Sequence, residues 1–247
     1  YLLNLYMKYL LIMFCSILLS NPIILDSSKS LDTILSSYVD DAGNVNYKGI
    51  VKNPFALDEY LNFIEQISPD SHPDYFKTED SKKAYWINVY NALILKIMIE
   101  NPGKDILDIG YIGHDVFLKS FKVGNKRISP SFIENKILRK MKDPRIHFAI
   151  NCASKSCPPL GNRILLEIDL DKQLDQKAFK FINNPDNVFI NHEEKTIYLN
   201  KIFKWFEKDF ENLKSYISIY LDDIDMELIK YYNIKFFKYD WSKNSSK

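Results

Sequence analysis

The feature that most constrains the fold is a long apolar segment near the middle of the chain. Residues Ser81–Asn101 contain no Gly or Pro, are apolar on nearly every helical face between Ala84 and Ile99, and are followed directly by Pro102. This pattern predicts one α-helix that ends before the proline. A helix that is apolar all round must be surrounded by protein, so we expect it at the centre of a domain.

The sequence on either side of this helix mixes short helices and short strands. Hydrophobic periodicity predicts helices at 31–38, 54–67, 129–141, 170–184 and within 202–232, hairpins at 117–128 and 187–200, and strands at 145–151 and 234–239. No linker, internal repeat or regular strand–helix–strand alternation interrupts residues 26–247. We therefore predict a single, helix-rich α+β domain whose central buried helix packs on a small, mostly antiparallel sheet.

Composition excludes several classes of function. The 247 residues are 46% hydrophobic, which is too apolar for a disordered chain. The formal net charge is +1, so no strong field attracts nucleic acid or acidic lipid, and we expect no nucleic-acid partner. With only 7 glycines, a Gly-rich phosphate-binding loop is disfavoured, and the sequence predicts no cofactor.

The first 25 residues have the character of a secretory signal. Met7 and Lys8 precede a short apolar run that reaches Leu19, and polar residues and a proline follow it. We expect residues 1–25 to be a signal peptide together with residues upstream of its start, and the protein to be exported to the periplasm or the extracellular space. An uncleaved signal would instead serve as an N-terminal membrane anchor. The alternative interpretation is a buried first helix.

Two asparagines interrupt the apolar surface of the central helix. Asn88 and Asn91 are three residues apart and therefore share one face. A buried amide group needs hydrogen-bond partners. Both side chains can fix neighbouring backbone, which we favour, or they can line and orient a functional site.

The second departure from an apolar pattern is the segment RIHFAINCASKSCPPL at 145–160. Alternation predicts a strand with His147 and Asn151 on one face, followed by a loop that carries Cys152 and Cys157. Three chemistries fit: a cysteine nucleophile activated by the histidine, a disulfide, or a metal site. The spacing is not a standard zinc pattern, so a metal is the least favoured. In an exported protein we favour the disulfide over free thiols.

Glu134 is a further candidate. It follows Ser131 at the spacing of a capping box, which is a sufficient structural reason for a glutamate at this position. Its functional alternatives are a catalytic carboxyl group or a fourth ligand of the metal site.

Several segments, taken in order, resemble those of a known family. They are DDAGNVNYKGI at 40–50, AYWINVYNALIL at 84–95, SPSFIENKILR at 129–139, DPRIHFAINCASKSCPPL at 143–160, KIFKWFEKDF at 201–210 and KFFKYDWSKN at 235–244. Together they resemble domain of unknown function 547 over nearly all of residues 26–247.

The resemblance implies that the motif residues of the family are Trp86, Asn88, Tyr90, Asn91, Glu134, Arg139, His147, Cys152 and Cys157. Many bacterial members carry signal peptides, which agrees with export. A central helix beside a histidine-bearing strand is also similar to papain-like and transglutaminase-like thiol enzymes. Here, however, the helix carries asparagines where those enzymes place their nucleophilic cysteine, so any thiol chemistry has to come from the loop.

Two functions follow from these residues. The first is an exported thiol-dependent hydrolase or acyltransferase with Cys157 as nucleophile, His147 as base, and Asn88 or Asn91 as an orienting group. The second is a non-catalytic binding or structural module of the cell envelope, stapled by a disulfide between Cys152 and Cys157. The sequence identifies neither the substrate nor an envelope partner.

Overall fold

The structure is a computed structural model that describes residues 22–111, 113–221 and 226–246. The predicted signal segment lies outside the described residues, apart from its last four residues, which begin the first helix. Within the described ranges, no helix combines the length and the apolar character needed to cross a membrane.

Four helices form the first part of the domain. They are α1 (Pro22–Tyr38), α2 (Tyr47–Lys52), α3 (Phe55–Gln66) and α4 (Glu79–Glu100). Thr78 caps α4 in a capping box with Ser81, and every side chain from Ala84 to Leu95 is buried. The predicted central helix is therefore confirmed.

The middle of the chain supplies a small hairpin and an irregular helix. The hairpin pairs β1 (Phe121–Val123) with β2 (Lys126–Ile128). Helix α5 follows as an α-helical turn over Pro130–Phe132, a π-helical turn over Ile133–Ile137 and a 3₁₀ turn over Leu138–Met141. Main neighbours of α4 are α2, α3 and this irregular helix.

The C-terminal part contains the larger sheet. Helix α6 (Leu170–Ile182) leads to β3 (Val188–Asn191) and β4 (Thr196–Leu199), which are antiparallel, and β4 is parallel to β5 (Asn233–Phe236). Between β4 and β5 lie the short helices α7 (Lys201–Trp205), α8 (Leu213–Ser218) and α9 (Met226–Ile229). The predicted helix-rich α+β domain with a small, mostly antiparallel set of strands is confirmed.

One predicted element is wrong. The strand expected at 145–151 is a 3₁₀ turn over Pro144–Phe148, which Asp143 caps by accepting the N–H of Arg145. Pro144 at the first helical position favours this turn. The apparent alternation has another cause, because Ile146 packs in one apolar cluster and Phe148 in another.

The core consists of two apolar clusters. The first surrounds α4 and extends to Leu174, whereas the second is built on α6, the three-stranded sheet and α7. Trp241 packs against both clusters. His147 lies between Ile146 of the first cluster and Phe148 of the second, and this boundary is where the candidate site forms.

Candidate functional site

A pocket of about 290 Å³ lies at the boundary between the two clusters. Most of its lining is apolar or aromatic with a few polar groups, which is the usual character of a small-molecule site. The lining residues are Tyr90, Phe117, Glu134, His147, Ile150, Cys152, Cys157, Pro158, Ile202, Trp205, Phe206, Tyr239 and Trp241. Five of the residues predicted from the sequence therefore meet in one pocket.

The cysteine loop is held by the side chain of Asn151, which contacts both ends of it. Asn151 Nδ2 donates to the carbonyl oxygen of Pro158 at 2.7 Å, and Asn151 Oδ1 accepts from the N–H of Ala153 at 2.8 Å. Ala153 is fully buried with φ of 63°, a left-handed conformation that a non-glycine residue rarely adopts. Backbone held in such a conformation is concentrated at functional sites.

Motifs from both ends of the chain hold the same loop. The N–H of Asn244 donates to the carbonyl oxygen of Ala153 at 3.2 Å, and Tyr47 Oη donates to Asn244 Oδ1 at 2.7 Å. Gly43, with φ of 81°, packs so closely on Pro159 that a Cβ atom on it would lie 2.6 Å from the proline Cβ. The segments at 40–50 and 235–244 thus support the cysteine loop.

Cys152 and Cys157 are not bonded to each other, and both are free thiols in the structure. The N–H of Cys152 donates to Cys157 Sγ at 2.8 Å. The sulfur of Cys152 also lies 3.1 Å from Ser154 Oγ and 3.3 Å from Tyr239 Oη. The disulfide favoured by the sequence is therefore not formed here.

The environments of the two thiols differ. Burial raises the pKa of Cys152, but hydrogen bonds from Cys157, Ser154 and Tyr239 outweigh this effect and lower the pKa to about 7. Burial, together with the neighbouring Cys152, raises the pKa of Cys157 well above its usual value. Cys152 is partly accessible, whereas Cys157 is buried. The more acidic and more accessible sulfur is that of Cys152.

His147 is part of a polar chain that continues through Asp209 to Arg139. Its Nε2 lies 2.8 Å from Asp209 Oδ2, while Arg139 donates from Nε and Nη2 to the two oxygens of the same carboxylate at 2.6 and 2.9 Å. Its ring stacks on Phe206 with 4.0 Å between the ring centroids. Asp209 and Phe206 thus fix the orientation of the imidazole ring.

Burial lowers the pKa of His147 to about 4, although Asp209 acts in the opposite direction. Hydrogen bonds from Arg139 and His147 lower the pKa of Asp209 despite its partial burial. A neutral imidazole beside an ionised carboxylate carries its proton on Nε2, and this assignment follows from the hydrogen-bond network. Its Nδ1 is then a buried acceptor that no described residue contacts with a hydrogen bond.

Glu134 lies on the π-helical turn of α5, an irregularity often found at functional sites. Burial, together with the nearby Cys152, raises its pKa to about 7. The capping-box explanation is wrong, because Ser129 rather than Ser131 caps this helix by accepting the N–H of Phe132 at 3.2 Å. Among the described residues, none forms a hydrogen bond or ion pair with the carboxyl group of Glu134, which lines the pocket.

Asn88 and Asn91 both fix the backbone of neighbouring segments. Asn88 donates to the carbonyl oxygen of Leu165 at 2.8 Å and accepts its N–H at 3.0 Å. Asn91 donates to the carbonyl oxygen of Ala149 at 3.0 Å and accepts the N–H of Asn151 at 2.9 Å. These bonds account for both amide groups, and neither side chain lines the pocket. Asn91 acts on the site through the segment that joins His147 to the cysteine loop.

The remaining predicted residues surround the pocket at different distances. Tyr90 lines it, and Arg139 acts through Asp209 and lies over the ring of Phe206. Trp86 is buried in the first cluster with its ring edge-on to Tyr85. Across the described ranges, no three His, Cys, Asp or Glu side chains are grouped closely enough to hold a metal ion.

Sequence reasoning did not single out Asp209, Ser154 and Tyr239 as site residues. Asp209 and Tyr239 belong to the segments KIFKWFEKDF and KFFKYDWSKN, whose aromatic spacing predicts core positions. The sequence feature that could have identified them is a charged or hydroxyl residue inside each of these two segments, which resemble motifs of the family. No local pattern links either residue to His147 or Cys152, which are between 62 and 87 positions away.

Comparison with known proteins agrees with the motif resemblance over residues 75–182. A family model described as "Protein of unknown function, DUF547" matches residues 75–182, a range that contains α4, Glu134, His147 and the cysteine loop. No curated protein and no solved structure matches the chain. Residues 75–182, which supply one side of the pocket, are therefore similar to the DUF547 family.

Proposed function

We propose that this protein is a thiol-dependent hydrolase or acyltransferase in which Cys152 attacks an acyl carbon bound in the pocket. The observation that carries the proposal is that Cys152 lines the pocket and that its sulfur lies within 3.3 Å of the hydroxyl groups of Ser154 and Tyr239. Hydroxyl donors around a sulfur stabilise the thiolate, which is the nucleophilic form. The lowered pKa of Cys152 agrees with this role.

The nucleophile proposed here differs from Cys157, the residue that the sequence favoured. Cys157 is the more buried thiol, and its pKa is raised. Its sulfur accepts the N–H of Cys152 and so fixes the backbone of the nucleophile. In this proposal Cys157 is a positioning residue.

Glu134 and His147 supply proton transfer. Because its pKa is near 7, Glu134 retains a proton on a substantial fraction of molecules at neutral pH and can donate it to a leaving group. His147 is neutral, is oriented by Asp209, and has its Nδ1 free to accept a proton. The environments of the two groups push their pKa values in opposite directions, as is common for acid and base pairs.

The reaction consists of two displacements. The Cys152 thiolate forms an S–C bond with the acyl carbon, the bond to the leaving alcohol or thiol breaks, and Glu134 protonates that leaving group. Water or another acceptor then attacks the thioester and gives a proton to His147, and the thiolate is released. The proton passes from His147 to solvent, and Glu134 takes one from solvent.

The pocket lining indicates the class of acyl group. Trp205, Tyr239 and Trp241 pack on one another with ring centroids 4.5 to 5.5 Å apart and supply a large aromatic surface. No Lys or Arg is present among the described residues that line the pocket. An uncharged apolar acyl group fits this lining better than one with a second carboxylate, which would find no cation.

The test is turnover of acyl thioesters and nitrophenyl esters of increasing chain length by the full chain. We expect Cys152→Ala to abolish turnover and to show no acyl-enzyme in the mass spectrum. Cys157→Ala should slow turnover without abolishing it. Glutaryl esters, which carry a second carboxylate, should react far more slowly than uncharged esters of similar length. Cys15→Ala, which removes the third cysteine of the sequence, is the control for loss of a cysteine as such.

Alkylation by iodoacetamide, followed by peptide mass mapping, is the second measurement. The rate at Cys152 should rise with pH through about 7, and the rate at Cys157 should stay low over this range. Loss of the acyl-enzyme in Cys157→Ala but not in Cys152→Ala would assign the nucleophile to Cys157. The absence of turnover and acyl-enzyme with every ester would contradict the enzyme.

A further inference from the structure

We propose that Cys152 and Cys157 form a redox-active dithiol, in which Cys152 attacks a disulfide oxidant and Cys157 resolves the mixed disulfide. This activity goes beyond acyl transfer and uses the same nucleophile. It also differs from a permanent disulfide staple, because the dithiol and the disulfide forms interconvert.

The first observation is the distance between the cysteines. They are not bonded, and the N–H of Cys152 donates to Cys157 Sγ at 2.8 Å. A disulfide needs the sulfurs at roughly 2.05 Å with defined side-chain geometry. Asn151 ties the two ends of the loop together, so the cysteines are held near each other before oxidation. The two cysteines are therefore in contact while both are still thiols.

The second observation is the difference between the two thiols. Cys152 is partly accessible and lines the pocket, where the hydroxyl groups of Ser154 and Tyr239 stabilise its thiolate. Cys157 also lines the pocket but is buried. Dithiol centres that exchange with disulfides need an accessible attacking thiol and a protected resolving thiol. The loop provides one of each.

The chemistry balances with a low-molecular-weight disulfide as the oxidant. The Cys152 thiolate attacks one sulfur of the oxidant, the bond between the oxidant's sulfurs breaks, and one thiolate leaves. Cys157 then loses its proton and attacks the sulfur of Cys152, which releases the second thiolate. The protein loses two electrons and two protons, and the oxidant is reduced to two thiols.

Oxidation also turns off the proposed acyl chemistry, because a disulfide sulfur is not a thiolate nucleophile. This consequence rests on the proposed function, whereas the redox exchange itself does not. The acyl group and the oxidant would compete for the same sulfur of Cys152.

The test uses the full chain with Cys15→Ser, so that the only remaining cysteines are the pair. The protein is equilibrated in buffers of reduced and oxidised glutathione, quenched with acid, alkylated and mapped by mass spectrometry. We expect loss of two hydrogen atoms, a crosslink between Cys152 and Cys157, and a return to the dithiol as reduced glutathione increases.

Single variants separate the two roles. With Cys157→Ser, which keeps an acceptor for the N–H of Cys152, a glutathione adduct should accumulate on Cys152. With Cys152→Ser, the adduct on Cys157 should form at least about tenfold more slowly, because the remaining thiol is buried and less acidic. Thermal unfolding of each variant checks that it is folded. If a variant is unfolded, the protein with both cysteines is used instead, and rapid quenching identifies the cysteine that forms the mixed disulfide first.

Three results would overturn the proposal. One is failure of the pair to oxidise when both thiols still react with iodoacetamide. Another is a disulfide that persists in excess reduced glutathione, since that behaviour belongs to a structural staple. The third is faster adduct formation at Cys157 than at Cys152. None of these measurements needs an acyl substrate. The redox proposal can therefore be confirmed or overturned even if the protein does not turn over any ester.

Discussion

Two networks of charged side chains are built around Arg145 and Arg139, and they differ in whether every polar group has a partner. In the Arg145 network, Asp143 accepts from Arg145 Nε and Nη2 at 2.9 Å each and from Lys83 Nζ at 2.8 Å. Arg145 also pairs with Asp171 and Asp175. In the pocket network, Arg139 and His147 share Asp209.

The difference lies in what each network leaves unpaired. Burial raises the pKa of Asp143, but Arg145 and Lys83 outweigh burial and lower it to about 2. Each charged group in the Arg145 network has an opposite charge, and its residues lie away from the pocket lining. The pocket network instead ends at His147, whose Nδ1 is buried without a hydrogen bond to any described residue. Native proteins rarely leave such an atom unsatisfied, and because His147 lines the pocket, this nitrogen can accept a hydrogen bond from a ligand or a water molecule there.

The comparison teaches that similar ion pairs on one short segment serve different purposes. The Arg145 network holds the 3₁₀ turn at Pro144–Phe148 to α4 and α6 through Lys83, Asp171 and Asp175. The pocket network orients one imidazole ring that lines the same pocket as the two thiols. The first should matter most for stability and the second for chemistry.

The largest expected effect is on stability and concerns Asp143. Asp143→Ala removes a carboxylate whose side chain is 9% exposed and leaves the Lys83 ammonium without its close partner. We expect a loss of about 3 kcal/mol in the free energy of unfolding, against about 1 kcal/mol for Asp209→Ala, whose ion pair is more exposed. Urea unfolding at pH 7 measures both. Equal losses would mean that the two networks do not differ in structural weight.

The second effect is on turnover, and here substitution of Asp209 should have a larger effect than substitution of Asp143. Asp209→Asn keeps the size of the side chain but removes the charge that orients His147, so turnover of a preferred ester should fall about 100-fold. The matched variant Asp143→Asn should change turnover less than about threefold, because its network lies off the pocket. Asp209 is a positioning residue, so its variant should also alter the pH–rate profile. Similar losses of turnover in both variants, with unchanged profiles, would assign both to structure alone.

How much of this was predictable depends on the range of the interaction. The burial of α4 and the start of α5 at Pro130 follow from local periodicity and local chemistry, and the sequence predicts both. The cysteine loop and Glu134 are recognisable as residue types, but their meeting in one pocket depends on packing between two clusters. Asp209 contacts His147 across 62 positions, and no local pattern encodes that contact.

The wrong strand at 145–151 has a related cause. Ile146, His147 and Phe148 alternate between apolar and polar side chains with the period of a strand, but all three are buried, and the two apolar ones enter different apolar clusters from a 3₁₀ turn. Periodicity reports which side chains are apolar and not what they are buried against. The same turn brings His147 to the boundary between the two clusters. The wrongly predicted strand therefore includes a residue of the candidate site.

The smallest effect sharpens the comparison through pH. Glu134 ionises near the ordinary glutamate pKa of 4.5 in the unfolded chain but near 7 in the folded protein, so between these values the folded state binds more protons. The wild-type protein should therefore lose stability from this group as pH rises through that window, whereas Glu134→Gln does not titrate. We expect the variant to gain about 2 kcal/mol relative to wild type between pH 5 and pH 8, a value reduced for solvent in the pocket.

Urea unfolding at pH 5, 6, 7 and 8 measures this gain, and Glu207→Gln, at an exposed position, controls for the change in net charge. The lowered pKa of Asp143 is common to both proteins, so its contribution cancels in the difference. A stability difference that stays constant with pH would show that Glu134 is solvated like a surface carboxyl group. Glu134 would then be ionised at neutral pH and could not act as the acid of the pocket. His147 would remain as the one group of the proposed acid and base pair whose pKa is shifted by burial.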